Sequence, residues 1–248
     1  MGLETHLASY RHFSEYKNAL NALNAYLQSV LSVDSPRVLE AGCGSISHLK
    51  LNNPNATGID ISQHQLERNQ HLAERICADL HSYDNPEWSE AFDLVVCWDV
   101  LEHLSNPKIV VEKFFRWAKP TGKIVLAYPN PQTLKGVVTK YSPYFVHQLF
   151  YRVASGTPFS ASKTDQGPFR TVFAPELRLL KMLELIESRG FKVEWMASAE
   201  SYQNKFVKRF APSAYIDALN EAFMGETKSL LDVSASDFIM VISRETRP

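Results

Sequence analysis

The sequence predicts an α/β fold in which a mostly parallel sheet carries helices on both faces. From residue 37 onward, short apolar runs typical of buried strands alternate with helical or polar segments, and parallel strands require crossovers of this kind. The chain has 248 residues, of which 45% are hydrophobic. That length is sufficient for one sizeable core and short for two full domains. We therefore expect a single domain over residues 1–248.

The helices are predicted from apolar spacing. Apolar residues recur every three or four positions from Tyr16 to Val30, which predicts an amphipathic N-terminal helix with Ser14 as its cap. A second helix is expected from Ser62 to about Arg75. A third is expected within 175–188. Strands are predicted at 37–41, 57–61, 75–79, 92–98, 123–128, 191–195 and 238–243.

The segment 132–173 does not follow the strand–helix alternation. It holds eight aromatic residues and five basic residues against a single acid, Asp165. An insertion this long between strands is usually functional. We expect a lid over an acceptor that combines a carboxylate or phosphate with an aromatic or apolar part. The domain then divides into an N-terminal helical cap (1–34), a cofactor-binding core (36–131), the lid insertion (132–173) and the C-terminal part of the sheet (174–248).

Charge and composition exclude several classes. The 26 basic and 27 acidic residues give a net charge of −1, which disfavours binding of nucleic acid through the overall field of the protein. No apolar run approaches the roughly 18 residues of a membrane span, and the N-terminus does not follow the plan of a signal peptide. Three cysteines without metal-ligand spacing favour a reducing compartment. We expect a cytoplasmic protein, and the helix spacing indicates no particular oligomeric state.

Two strand ends carry the residues of a nucleoside site. The first strand ends with Glu40 and the glycines Gly42 and Gly44, and the second ends with Asp60, eighteen residues after Gly42. Glycines allow a tight turn and close approach of a ligand to the backbone. Asp60 is placed to accept hydrogen bonds from a ribose diol. Ligands of parallel sheets bind beyond the carboxyl ends of the strands, so we expect a nucleoside-containing cofactor there.

The glycine loop favours a cationic cofactor over a dinucleotide. A dinucleotide site requires a third glycine, which is absent from 42–47. Glu40 is unfavourable beside a pyrophosphate and favourable beside a cation. S-adenosylmethionine carries a sulfonium and an ammonium against one carboxylate, and it suits such a loop better. A nicotinamide-dependent oxidoreductase is therefore disfavoured.

Five motifs in order extend this pattern across residues 38–126. They are V-L-E-A-G-C-G at 38–44, G-I-D-I-S at 58–62, A-D-L at 78–80, F-D-L-V-V-C-W-D-V-L-E-H-L at 92–104 and K-P-T-G-K-I-V-L at 119–126. With them the chain resembles the class I S-adenosylmethionine-dependent methyltransferases, in particular small-molecule O-methyltransferases of the ubiquinone pathway. The resemblance implies a Rossmann-like, seven-stranded, mostly parallel sheet with an antiparallel last strand. Ile46 departs from it, since many members have a further glycine there.

The resemblance also implies which residues surround the cofactor. Glu40, Gly42 and Gly44 would contact the methionine half, with Cys43 as a small filler among them. Asp60 would bind the ribose, and Ile61, Asp79 and Leu80 would contact the adenine. Cys97 and Trp98 would lie next to the sulfonium.

The transfer centre needs a base if the acceptor is a hydroxyl. Methyl transfer is an in-line displacement in which the enzyme positions the nucleophile and excludes water, and a hydroxyl must also lose a proton. His103, which follows the fourth strand, and His147, in the insertion, are the candidate bases. The other six histidines are expected mostly at the surface: His6, His12, His48, His64, His71 and His81.

The segment 99–103 also resembles a metal-binding motif. Its residues Asp99, Glu102 and His103 are similar to an E-x-x-E-H set that holds a divalent metal in some methyltransferases. On a helix the three would share one face, and His147 would be a fourth ligand. We prefer the alternative in which Glu102 has a structural role and no metal binds.

The sequence therefore predicts an S-adenosylmethionine-dependent enzyme that methylates a small-molecule acceptor. Transfer to a hydroxyl or carboxyl oxygen in a biosynthetic or tailoring pathway is favoured. N-methylation of a small molecule, RNA methylation, and a catalytically silent S-adenosylmethionine-binding scaffold remain as alternatives.

Overall fold

The fold is built on one mixed sheet of eight strands. The computed structural model of the protein describes residues 10–31, 34–49, 55–133, 171–210, 213–223 and 235–245. The strands are Tyr10–Phe13 (β1), Val38–Ala41 (β2), Ala56–Asp60 (β3), Glu74–Cys77 (β4), Phe92–Trp98 (β5), Ala118–Pro129 (β6), Phe191–Ala199 (β7) and Asp237–Arg244 (β8). Their order across the sheet is β1-β7-β8-β6-β5-β2-β3-β4.

The pairing of the strands confirms the predicted fold class. The last strand, β8, runs antiparallel to both of its neighbours, β6 and β7. All other pairs are parallel. The sheet has one strand more than the seven expected, because β1 pairs with the outer edge of β7. Strand β1 lies within the region predicted as an N-terminal helical cap (1–34), so that prediction was wrong for these residues.

Helices lie on both faces of the sheet. They are Tyr16–Val30 (α1), Gln63–Arg68 (α2), Pro107–Trp117 (α3), Leu179–Ser188 (α4), Tyr202–Phe210 (α5) and Ser213–Phe223 (α6), with 3₁₀ turns at Pro86–Trp88, Leu101–His103 and Pro175–Leu177. Buried side chains of α3 and α4 form one apolar core, and those of α1 and α2 belong to a second. Within the described ranges, no helix has the length and apolar character needed to cross a membrane.

Two predicted helix boundaries were wrong. Helix α1 is preceded by Glu15, which makes no side-chain capping bond, so Ser14 is not the cap. Helix α2 ends at Arg68 instead of continuing to Arg75. The guanidinium of Arg75 donates to the backbone carbonyl of Asn69 (2.6 Å), just beyond the end of this helix. Exposed helix-end carbonyls need such partners, so Arg75 stabilises the early end.

Strand β5 and the segment after it position the centre of the site. All but one of the side chains of β5 are buried, as is typical of a central parallel strand. The chain then turns through Asp99, whose φ of +53° lies in the left-handed region, where aspartate is tolerated better than most residues. Helix α3 begins after Asn106, whose side chain accepts a bond from the Ile109 N–H (3.4 Å), with Pro107 in the first turn.

The described part of the connection between β2 and β3, residues 42–49 and 55, contains no helix. Two of its residues soon after the glycine loop, Ile46 and His48, lie beside the strand ends.

Candidate active site

A cleft of about 480 Å³ lies at the carboxyl ends of the neighbouring strands β4, β3, β2 and β5. The volume falls within the usual range of small-molecule sites. Segments that directly follow the strands supply most of the lining, namely 42–46, 60–61, 78–81, 98–100 and 103–105. This is the place where a parallel sheet is expected to bind a ligand.

The glycine loop closes tightly around the end of β3. Gly42 has a φ of +70°, and a Cβ atom at this position would lie only 2.2 Å from Cγ2 of Val100. Its N–H donates to the carbonyl of Ile59 (2.7 Å). A left-handed backbone pressed against a neighbour requires glycine, so the loop that borders the cleft admits no side chain at Gly42.

Asp60 is held by backbone donors on both carboxylate oxygens. The Gly44 N–H donates to Oδ2 (2.9 Å), and the Ser62 N–H donates to Oδ1 (2.8 Å). These two bonds fix the carboxylate at the end of β3. Each oxygen has a second lone pair, so Asp60 can still accept bonds from a ligand.

Asp79 is a second oriented carboxylate, beyond the end of β4. Its Oδ1 accepts from the N–H of His81 (2.8 Å), and the His81 ring nitrogen Nδ1 lies 3.2 Å from the same atom. The backbone bond from His81 is the main cause that holds the pKa of Asp79 below its ordinary value. The side chain is 46% exposed. Asp79 therefore presents an ionised acceptor to the cleft.

Aromatic rings form the opposite end of the cleft. The indole N–H of Trp98 donates to the Tyr16 hydroxyl (2.9 Å), and the His48 ring stacks on Trp98 with centroids 5.3 Å apart and an interplanar angle of 9°. Burial lowers the pKa of His48, which favours its neutral form. Burial, followed by the carboxylate of Asp99, raises the pKa of Tyr16. Both groups are thus uncharged near neutral pH.

His103 borders the same end of the cleft. It closes the 3₁₀ turn after β5, and its side chain is 27% exposed. Its Nε2 lies 3.8 Å from Oε1 of Glu102, which is buried. The backbone carbonyl of Glu102 accepts the Val172 N–H (2.7 Å). The C-terminal end of the insertion is therefore bonded to the residue directly before His103.

The charges of the cleft favour a cationic ligand. Among the described residues that line it, the carboxylates are Asp60, Asp79 and Asp99, and there is no lysine or arginine. A ligand with a sulfonium, an ammonium and one carboxylate carries a net positive charge, so it is electrostatically matched to this lining.

The sequence matches a known family over this region. A family profile described as "Methyltransferase domain" matches residues 10–168, more than half of the chain. The chain belongs to the class I S-adenosylmethionine-dependent methyltransferase family. The expectations of an α/β fold, of this enzyme class and of S-adenosylmethionine as the cofactor are confirmed.

Individual relatives agree with the family assignment. The methyltransferase is 30% identical to the "Ubiquinone biosynthesis O-methyltransferase" of Pseudomonas putida (strain F1) over 132 residues, which are 47% of this chain and 56% of the relative. The chain thus spans about half the length of the curated relatives that it matches.

Solved structures share the fold at low sequence identity. A SAM-dependent methyltransferase from Archaeoglobus fulgidus has a TM-score of 0.55 and 16% identity, with 92% of this chain and 94% of that chain covered. Magnesium protoporphyrin IX methyltransferase from Synechocystis PCC 6803, with bound SAH, has a TM-score of 0.52 and 14% identity, with 93% and 84% covered. At these identities the likeness shows the fold alone.

Most of the predicted cofactor residues of the methyltransferase line the cleft. Glu40 and Cys97 do not. Side chains alternate across a strand, so Cys97 packs into the core on the side of α3, whereas Trp98 faces α1. Burial is the main cause that raises the pKa of Glu40 and of Cys97. The predicted residues that line the cleft are Gly42, Cys43, Gly44, Asp60, Ile61, Asp79, Leu80 and Trp98.

The predicted metal-binding set is not assembled in the described structure. Its geometry assumed one helix through Asp99, Glu102 and His103. Instead Asp99 is left-handed, and only Leu101–His103 form a single 3₁₀ turn. Among the described residues, no group of three or more His, Cys, Asp or Glu side chains could hold a metal ion. His147, predicted as a base and as the fourth ligand, lies outside the described residues.

Two histidines expected at the surface lie in the cleft instead. His81 directly follows the A-D-L motif, so its place after a strand end could have indicated a cleft residue. His48 is placed there by its contact with Trp98, fifty residues away along the chain. No local sequence pattern indicates that contact.

Proposed function

We propose that this methyltransferase transfers a methyl group to the oxygen of a hydroxyl or carboxyl group on a small molecule. The observation that carries the proposal is His103, which lines the cleft directly after β5 with a carboxylate of Glu102 at 3.8 Å. The matching relatives bear the name of an O-methyltransferase, which supports oxygen over nitrogen as the acceptor atom.

The two carboxylates, Asp60 and Asp79, are proposed to bind different parts of the cofactor. We assign Asp60 to the ribose hydroxyls and Asp79, with Leu80, to the edge of the adenine, since both carboxylates are oriented acceptors at the cleft. Ile61, which is 73% exposed, would cover the adenine face. The glycine loop 42–44 would border the methionyl part. Glu40 and Cys97 do not line the cleft, so they would support the lining residues without contacting the cofactor.

The chain's own residues then complete the chemistry of transfer. S-adenosylmethionine supplies a methyl carbon already activated by its sulfonium. His103 would accept the proton of the acceptor hydroxyl. The hydroxyl oxygen would receive the methyl group, and the sulfonium would leave as the neutral thioether of S-adenosylhomocysteine. The Glu102 carboxylate stabilises the resulting imidazolium. Trp98 and the stacked His48 exclude water from this end of the cleft, and His147 is the second candidate base.

The insertion is proposed to cover the acceptor. Support comes from its ends, since the chain leaves β6 after Pro129 at the cleft edge of the sheet and returns at Val172, bonded to Glu102. The five basic residues of 132–173 support an acceptor that carries a carboxylate or phosphate beside an aromatic or apolar part. We propose the same roles for the cofactor-binding core (36–131) and the C-terminal part of the sheet (174–248), whereas the region 1–34 adds strand β1 to the sheet besides helix α1.

The test is methyl transfer to a panel of phenols, catechols, carboxylic acids and matched amines. The rate of transfer is measured as the release of S-adenosylhomocysteine. The variant is His103→Gln, and the control is His64→Gln, an exposed histidine on α2 outside the cleft. General-base catalysis contributes about 10²–10⁴-fold. We expect His103→Gln to lower kcat on a hydroxyl acceptor about 100-fold or more, with unchanged affinity for S-adenosylhomocysteine.

Other outcomes would overturn the proposal. Turnover of amines alone, insensitive to His103→Gln, would indicate N-methylation. Binding of the cofactor without turnover of any acceptor would indicate a silent scaffold, and turnover of RNA alone would indicate an RNA methyltransferase.

A further inference from the structure

The loop that follows β4 (residues 78–83, here the β4 loop) is fixed by a side chain from another element. The ammonium of Lys113, on α3, donates to the carbonyls of Leu80 (2.9 Å), His81 (2.7 Å) and Tyr83 (2.7 Å). Three charge-assisted bonds to one short stretch of backbone hold its path tightly. The β4 loop is therefore a rigid support for Asp79.

His81 links this loop to the other wall of the cleft. Its Nε2 lies 3.3 Å from the backbone N–H of Asn106 and 3.5 Å from Oγ of Ser105. A backbone N–H can only donate, so Nε2 carries the lone pair and Nδ1 carries the proton. Nδ1 then donates to Oδ1 of Asp79, at 3.2 Å. One imidazole ring thus joins Asp79 to Asn106.

The far contact of His81 belongs to the segment that carries His103. Ser105 and His103 both line the cleft, and Asn106 is the cap of α3. The imidazole has a donor at one ring nitrogen and an acceptor at the other, on different edges of a rigid planar ring. This arrangement suits a link between two loops, because a shift of either loop breaks a bond at a fixed separation.

We propose that His81 is a positioning residue that couples occupation of the adenosine end of the cleft to the placement of the segment 103–106. This inference rests on the proposed function, because it takes Asp79 as a cofactor contact. A ligand bound to Asp79 restrains its carboxylate, and the carboxylate restrains the ring. The ring in turn restrains the Asn106 N–H and, through the short intervening chain, His103.

Two substitutions separate the two arms of this link. His81→Phe keeps a ring of similar size and removes both bonds. His81→Asn places an amide donor near the position of Nδ1, so it keeps the arm to Asp79 and removes the arm to Asn106. His64→Phe is the control, because His64 is exposed and lies outside the cleft. Thermal unfolding of each variant verifies that it is folded.

The first measurement is calorimetric titration of S-adenosylhomocysteine, which needs no acceptor. We expect His81→Phe to weaken binding about tenfold, the size expected for a lost charge-assisted bond. His81→Asn should stay within about threefold of the wild type, as should His64→Phe. If His81→Phe is combined with Asp79→Asn, the double variant should bind no more than about twofold more weakly than Asp79→Asn alone.

The second measurement is hydrogen–deuterium exchange over residues 103–108, with and without S-adenosylhomocysteine. A purely structural role would not make exchange at Asn106 depend on the ligand through His81. We expect the ligand to slow exchange in the wild type at least threefold, and to slow it less than half as much in His81→Asn despite near-normal binding. Equal slowing in both proteins, or additive losses of affinity, would overturn the coupling.

The outcomes separate this inference from the function on which it rests. Absence of S-adenosylhomocysteine binding in the wild type would overturn both. Normal binding in the wild type with no change in His81→Phe would overturn the coupling and leave the proposed function standing.

Discussion

The two ends of the cleft are built in different ways. At the end proposed for the adenosine (the adenosine end), backbone N–H groups hold the carboxylates of Asp60 and Asp79. Two of these donors, in Ser62 and His81, lie two residues along the chain, and the third, in Gly44, lies sixteen residues away. At the end proposed for methyl transfer (the transfer end), Tyr16, His48 and Trp98 come from three separate stretches, and the rings of Tyr16 and His48 both contact the ring of Trp98. Backbone bonds at strand ends orient a carboxylate with few contacts from elsewhere, whereas a ring cluster depends on the packing of the whole fold.

This difference corresponds to the two tasks of the site. The cofactor is shared by the family, so the carboxylates that bind it need a constant orientation, and backbone N–H donors at strand ends provide that orientation. The methyl acceptor differs between enzymes, and side chains from separate segments can change without disturbing the strands.

Gly42, in the loop after β2 that lies between the two ends of the cleft, should be more sensitive to substitution than Gly190. Gly42, at φ +70°, presses against Val100, whereas Gly190 has φ +73° with nothing within 4 Å of its Cβ position. Left-handed strain costs about 1–2 kcal/mol, and overpacking adds about 1–3 kcal/mol. We expect Gly42→Ala to lower the free energy of unfolding by about 4 kcal/mol and Gly190→Ala by about 1 kcal/mol, as measured by urea denaturation. Equal losses would contradict the crowding at Val100, and Val100→Ala should partly restore Gly42→Ala.

Asp60→Asn should have the largest effect on cofactor binding. The amide NH₂ would face a backbone N–H of Gly44 or Ser62, so one donor would oppose another, and the charge would be lost. Hydrogen bonds to charged groups contribute about 1.5–3 kcal/mol each, so we expect affinity for S-adenosylhomocysteine to fall about 100-fold in calorimetry. The control is Asp84→Asn, an exposed carboxylate paired with Arg116. Unchanged binding in Asp60→Asn would remove Asp60 from the site.

Lys113→Met tests whether the adenosine end depends on the rigidity of the β4 loop. The variant removes three bonds to loop carbonyls and keeps the aliphatic stem. We expect affinity for S-adenosylhomocysteine to fall about tenfold. Lys108→Met, an exposed lysine on the same helix, should be indistinguishable from the wild type in the same titration. A loss shared by both variants would point to surface charge instead of the loop.

The transfer end should show a small dependence of stability on pH. Burial lowers the pKa of His48, so below about pH 6.5 the unfolded chain binds a proton that the folded chain resists. Stability contributed by the neutral ring is present above the unfolded pKa and is lost as pH falls from about 6.5 toward the folded pKa. We expect His48→Phe to reduce the fall in melting temperature between pH 7.5 and 5.5, by more than His64→Phe does. An unchanged slope would contradict a buried neutral ring.

The sequence predicted the parts of the fold that are local. Strand β5 was predicted with its observed bounds, because a run of apolar residues buried on both faces has few alternatives. Strand β1 was not predicted, because Tyr10–Phe13 is short, has no fully buried residue and becomes a strand only by pairing with β7.

The same distinction holds in the site. Asp60 ends β3 and Asp79 lies soon after β4, and both were predicted as site residues and line the cleft. The stacking of His48 on Trp98, by contrast, brings together residues far apart in the sequence. The helical geometry assumed for a metal set at Asp99, Glu102 and His103 was wrong for a related reason, since the chain adopts a left-handed turn at Asp99.

The attachment of the insertion bears on how such an enzyme can diversify. At one end, the Asn130 side-chain amide donates to the Ala235 carbonyl (2.9 Å), and its N–H donates to the Ser236 carbonyl (2.8 Å). At the other end, Val172 is bonded to Glu102. The ends of the segment are thus anchored independently of what lies between them, and the entropy of closing a loop rises only slowly with its length. Replacement of the intervening stretch, by evolution or in an engineered chimaera, could therefore change the range of methyl acceptors and leave the cofactor-binding residues unchanged.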